Sequence, residues 1–173
     1  MATILQNLSV YDEKNIPDGS NFQIGIVLSD WNAHITHELF RECHATLLKS
    51  GVAETNIKTV QVPGAFELPV AAKMLLGSEP FDAIICLGCV IKGETKHDEY
   101  INNAVAQGLT NLGIMTGKPV IFGLLTPDTE QQGLDRAGGI HGNKGVEAAV
   151  TALRMADLKH QLTKKKSSIG FSS

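Results

Sequence analysis

The segment Ala83-Ile84-Ile85-Cys86-Leu87 constrains the fold more than any other part of the chain, because it is apolar at every position. A strand with one wet face alternates, so an unbroken run of this length reads as a strand covered on both faces by helices, as in a parallel sheet. Gly88 then begins a turn, and Gly88-Cys89-Val90-Ile91-Lys92-Gly93-Glu94-Thr95-Lys96-His97 leads into Ile101, Ala104, Val105, Gly108 and Leu112 at helical spacing. Thr95 and Asp98 have the spacing of a capping box, so the helix is expected to begin near Thr95. A helix start offers free N–H groups and the positive end of the dipole, which makes Gly93, Glu94 and Thr95 a candidate anion site with His97 beside it. Imidazole suits proton transfer, but an exposed histidine beside an ordinary cap fits the same pattern.

The rest of the chain repeats the strand-then-helix alternation. Residues 1–20 show little periodicity, close on Pro17-Asp18-Gly19-Ser20 and read as an N-terminal arm. Phe22 to Ser29 is a strand, and His34 to Ser50 is a helix with Ile35, Leu39, Cys43 and Leu47 inward. Trp31, the only tryptophan, falls on the loop between them, as a core plug or as a stacking platform for a planar ligand. Ile57 to Val62 alternates as a second strand, and Pro63-Gly64-Ala65-Phe66-Glu67-Leu68-Pro69 opens a helix expected over Phe66 to Leu76, with Val70, Ala71 and Leu75 inward. Gly64 permits close approach of a ligand, and Glu67 suits the helix dipole. Val120 to Leu125 is the fourth strand. A short helix from Thr129 to Arg136 breaks at Gly138-Gly139, and a last helix buries Val146, Ala149, Val150 and Leu153.

Several function classes are disfavoured. A formal net charge of −3 argues against general nucleic-acid binding, and Lys164-Lys165-Lys166, the single basic run, reads as part of a mobile tail over 161–173. No apolar run approaches a membrane span and the N-terminus has no signal-peptide pattern, so the cytoplasm is the expected location. Cys86 and Cys89 form a Cys-x-x-Cys, but an odd separation on one strand points them to opposite faces, so reduced buried thiols are expected. His34, His37 and His44 lack metal-ligand spacing and read as a polar helix face. Gly145 stands where a phosphate-binding loop requires Ser or Thr after Lys144.

Four strands alternating with helices predict a three-layer α/β/α sandwich on a four-stranded parallel sheet. Trp31, the Gly64–Glu67 turn and the Gly93–His97 turn all follow strand C-termini and so share one end of it. Pro63 to Pro69, Gly88 to His97, Phe122-Gly123-Leu124-Leu125-Thr126, and Arg136-Ala137-Gly138 through Gly142-Asn143-Lys144-Gly145 resemble, in order, the motifs of the lumazine synthase family, with a resemblance that runs from about Asn21 to Ala156 inside a domain expected over 21–160. The resemblance implies a flavodoxin-like fold and condensation of 5-amino-6-ribitylaminouracil with 3,4-dihydroxy-2-butanone 4-phosphate, without cofactor or metal. It implies that Trp31 stacks on the pyrimidine, with Asn32, Gly64 and Cys89 also in the substrate site. Ala65, Phe66 and Glu67 would hold the ring and ribityl chain, and Val90 and Ile91 would line the pocket. Glu94 and Thr95 would give backbone donors to phosphate, His97 would move protons, Arg136 would pair with phosphate and Lys144 would reach the ribityl side.

The same resemblance implies a pentamer in which Phe122 and Arg136 come from the neighbour, an icosahedral shell as a larger assembly, and riboflavin synthase as a partner. Asp98 departs from the family pattern, which often has an aromatic residue after the histidine. A non-catalytic flavin- or lumazine-binding protein on the same fold is the alternative, as is a shell protein with a vestigial site; the trio His97, Arg136 and Lys144 favours catalysis.

Overall fold

The computed structural model describes residues 16–167, so most of the expected arm and residues 168–173 lie outside the described residues. Its sheet consists of β1 (Ile24–Ser29), β2 (Ile57–Val62), β3 (Ala83–Cys89) and β4 (Val120–Leu125), all parallel, in the order β2-β1-β3-β4. The connecting helices are α1 (Ala33–Lys49), α2 (Leu68–Ser78) and α3 (His97–Thr116). Beyond β4 come α4 (Glu130–Asp135), a small antiparallel hairpin of β5 (Ala137–Gly139) and β6 (Gly142–Asn143), and α5 (Lys144–Ser167). This is the expected α/β sandwich.

The unbroken apolar runs of β1 and β3 have the cause inferred for them. Ile24, Ile26, Leu28, Ile85 and Leu87 face a core closed by Ile35, Leu39, Cys43 and Leu47 of α1 and Ala148, Ala149, Ala152 and Leu153 of α5. Val27, Ile84 and Cys86 face the opposite core, made with Leu68, Ala72 and Leu75 of α2 and Val105 and Leu109 of α3. Cys86 and Cys89 therefore lie on opposite faces, both buried and free. Truncating a side chain such as Leu39, fully buried between α1 and the sheet, removes about 2–5 kcal/mol of stability.

α1 and α5 approach closely. A Cβ on Gly145 would run into the carbonyl oxygen of Leu39, and the Gly145 N–H is already taken by Asn143 Oδ1 at 2.7 Å. That contact explains glycine at 145 without reference to phosphate. Gly117, with φ +61, ends α3 in the left-handed conformation that glycine adopts without strain.

Four local expectations are corrected. α3 starts at His97, not near Thr95: no side-chain cap forms, and the Thr95 hydroxyl instead accepts from the His97 N–H at 3.4 Å. A 3-10 turn over Ala65–Glu67 precedes α2, because Pro69 fits only at the helix start, and the resulting phase turns Val70 outward while Leu68, Ala72 and Leu75 point inward. Ala104 is exposed, since α3 buries a narrow stripe through Val105 and Leu109. Finally, the backbone of α5 continues as helix to Ser167, through part of the segment expected as tail.

Candidate active site

The sheet order reverses between β1 and β3, and the loops leaving β1, β2 and β3 meet at that crevice, where ligands bind in open α/β sheets. They enclose a cleft of about 600 Å³ lined by Trp31 and Asn32, by Gly64 to Glu67, by Cys89 to Ile91, and by His97, Tyr100 and Ile101.

The first wall extends the ladder past the ends of the strands. The Asp30 N–H donates to the Val62 carbonyl at 2.9 Å and the Trp31 N–H to the Pro63 carbonyl at 3.2 Å. The indole of Trp31 is 72% exposed, which excludes the core-plug reading. It stands over Gly64, where an added Cβ would lie 3.4 Å from its Cδ1 and 3.1 Å from Glu67 Oε2, so glycine keeps ring and carboxylate close to the backbone. Glu67 folds back on its own turn: Gly64 N–H donates to its Oε2 at 3.1 Å. Ala65 is buried beneath this turn and leaves Phe66 exposed above it.

The opposite wall runs beside the exit of β4. Val90 N–H donates to Leu125 O at 2.9 Å and Lys92 N–H to Pro127 O at 3.0 Å, while Lys92 Nζ lies 3.6 Å from Asp128 Oδ1. His97, exposed, then opens α3 at the rim. Burial pushes the Cys89 thiol at the base of the cleft up to about 12, and burial likewise raises Cys43 and Cys86, so none is a nucleophile near neutral pH. Among the described residues no three His, Cys, Asp or Glu side chains cluster as a metal site; His34 pairs with Glu130 at 2.7 Å and His44 with Glu54 at 3.2 Å.

The structure thus brings together Trp31, Asn32, Gly64, Ala65, Phe66, Glu67, Cys89, Val90, Ile91 and His97. Glu94 and Thr95 are exposed on the loop before His97 and do not line the cleft. Phe122 lies on edge strand β4, and Arg136 and Lys144 flank the hairpin, joined through Lys144 N–H to Arg136 O at 2.9 Å. Arg136 Nη1 donates to Gln132 O at 3.1 Å and Lys144 Nζ pairs with Glu147 at 2.8 Å, so neither cation enters the cleft of its own chain. Tyr100 also lines the cleft, as does Ile101, which the sequence pattern marks only as a core position; they stand three and four residues beyond His97, the spacing that shares a helix face.

An aromatic platform, a carboxylate, an imidazole and apolar walls suit a planar, hydrogen-bonding ring and proton transfers to it. Among the described residues that line it, the cleft has no lysine or arginine for an anionic co-substrate.

The sequence profile described as 6,7-dimethyl-8-ribityllumazine synthase matches residues 21–160. A protein of that name from Parabacteroides distasonis is 52% identical over 157 residues, 91% of this chain and 98% of its own length. Those of Flavobacterium psychrophilum and Porphyromonas gingivalis are each 48% identical, covering 93% and 92% of this chain and 85% and 99% of their own lengths.

Proposed function

The chain belongs to the 6,7-dimethyl-8-ribityllumazine synthase family, and on that premise we propose that the cleft at the sheet's switch point is where it joins its two substrates. The enzyme condenses 5-amino-6-(D-ribitylamino)uracil with 3,4-dihydroxy-2-butanone 4-phosphate to 6,7-dimethyl-8-ribityllumazine, phosphate and water, the penultimate step of riboflavin biosynthesis. The observation that carries the placement is the convergence of Trp31, Glu67, Val90, Ile91 and His97 on one crevice.

In this reading the pyrimidine stacks on Trp31 between Val90 and Ile91, and Ala65, Phe66 and Glu67 hold its edge and ribityl chain. The amine attacks the ketone and one water leaves as the imine forms; phosphate is eliminated, and ring closure releases a second water. His97 moves the protons. Glu94 and Thr95 offer backbone N–H groups to the phosphate near the start of α3, Arg136 supplies its counter-charge and Lys144 approaches the ribityl side. Holding two reactive molecules in register contributes roughly 7–11 kcal/mol, more than the 10²- to 10⁴-fold typical of one acid–base group. Positioning therefore dominates.

The absence of Arg136, Phe122 and Lys144 from the cleft of their own chain supports a homo-oligomer in which a neighbour completes each site. Exposed apolar side chains on α2 and α3, Val70, Met74, Ile114 and Met115 among them, are what such an interface would cover. We assign a pentamer, with an icosahedral shell as its larger assembly and riboflavin synthase as a candidate partner. Three free, buried cysteines fit a reducing cytoplasm.

The test is direct assay: purified protein with both substrates forms the lumazine, followed by absorbance, faster than the spontaneous reaction. Saturable ribityllumazine binding without acceleration would overturn this reading in favour of a binding protein.

A further inference from the structure

We propose that Asn32 is a positioning residue of the condensation: its left-handed backbone and the hydrogen bond from its side-chain amide to the end of β3 hold Trp31 in the orientation that stacks on the pyrimidine. This rests on the synthase reading above.

Among the described residues Asn32 is the only non-glycine with positive φ, at φ 61° and ψ 45°. L-residues adopt this region at a cost that is smallest for asparagine. Asn32 also occupies the N-cap of α1, its carbonyl accepting from Ile35 N–H at 2.8 Å and Thr36 N–H at 3.0 Å. An asparagine chosen to cap a helix takes an extended conformation and turns its side-chain oxygen onto the first-turn N–H groups. Here no such bond forms. The amide instead reaches across the sheet, Nδ2 donating to Cys89 O at 3.0 Å.

The place of that bond gives it its meaning. The β1–β3 ladder ends at Leu28 paired with Leu87, two residues short of Cys89. The amide bridges this gap. On its other side the same segment is held by Asp30 N–H on Val62 and Trp31 N–H on Pro63. The Trp31 peptide is thus clamped between the ends of β2 and β3, and Asn32 is the β3 half of the clamp. α1 forgoes its side-chain cap, so the residue serves the cleft in preference to its helix.

Two variants separate backbone from side chain. Asn32→Gly keeps the left-handed conformation and deletes the amide; Asn32→Asp tolerates the conformation but sets a carboxylate oxygen against the Cys89 carbonyl. Because Trp31 is the only tryptophan, time-resolved fluorescence anisotropy and acrylamide quenching report its local motion without any substrate. Both variants are expected to widen that motion, Asp at least as much as Gly. Both should raise KM for the ribitylaminouracil about tenfold, with kcat and the KM of the phosphate substrate little changed. Wild-type Trp31 motion with wild-type KM in Asn32→Gly would overturn the proposal. So would loss of kcat at unchanged Trp31 motion, which would make Asn32 a group that touches the reacting atoms. Failure of the synthase reading shows separately, as a wild-type protein that makes no lumazine, while the substrate-free fluorescence comparison still decides the clamp.

Discussion

The cleft and the hairpin that carries Arg136 are built in opposite ways. Two facing walls of the cleft are short extensions of the sheet, tied to the neighbouring strand end by backbone hydrogen bonds at Asp30, Trp31, Val90 and Lys92. The hairpin makes its own two-stranded ladder, turns through Gly138 and Gly142 at positive φ, and exposes Ile140 at its tip. Its cations are held by groups of their own segment, Arg136 by the Gln132 carbonyl and Lys144 by Glu147. In the proposed reading the sheet fixes the groups that recognise an uncharged ring, whereas the charge for the phosphate sits on an element that does not line the cleft of its own chain. In the reading proposed above, another subunit brings the two together.

That division can be broken one side at a time. The largest effect is expected from Arg136→Ala, which removes a charge-assisted phosphate partner: kcat/KM should fall roughly 100-fold or more while ribityllumazine binding persists. Full activity would remove Arg136 from the site. His97→Ala should cost no more than that and leave measurable turnover, because positioning survives loss of a proton carrier. An inactive His97 variant beside a partly active Arg136 variant would invert the ranking. Trp31→Ala should raise KM for the pyrimidine substrate roughly tenfold, the worth of one aromatic stack, and leave the phosphate substrate's KM alone.

The smallest effect separates the cleft from thiol chemistry. With the Cys89 thiol pushed up to about 12 and Cys43 and Cys86 also raised, a thiol reagent at pH 8 should label the folded protein slowly and spare its activity. Above about pH 8.5 the unfolded chain ionises these thiols while the folded chain keeps them neutral. Folding stability should then fall with rising pH, by up to about 1.4 kcal/mol per unit per thiol. Rapid labelling with loss of turnover would contradict the burial assigned to Cys89.

The same contrast explains what the sequence revealed. β1 and β3 were legible because burial on both faces leaves unbroken apolar runs, and three cleft loops followed from strand ends sharing one side of a parallel sheet. The start of α3 is not legible because Thr95 and Asp98 carry cap spacing, yet the Thr95 hydroxyl serves His97 N–H without forming a cap. Val70 points outward against its apolar spacing because a 3-10 turn shifts the helical phase by an amount that periodicity does not encode. β5 and β6, with three and two residues, are too short to leave a pattern, and the left-handed state of Asn32 has no signature in an Asp-Trp-Asn loop. Tyr100 was within reach, since residues three and four beyond a rim histidine share its face.

The central claim is that each site draws His97 from one subunit and Arg136 from another. Co-expressing His97→Ala with Arg136→Ala and assaying the mixed assembly tests it most directly. If the residues act across an interface, random mixing restores about a quarter of the sites with both groups intact, and activity rises well above that of either variant alone. If both act within one chain, no mixed assembly contains an intact site. Activity no greater than the average of the two single variants would then contradict the account.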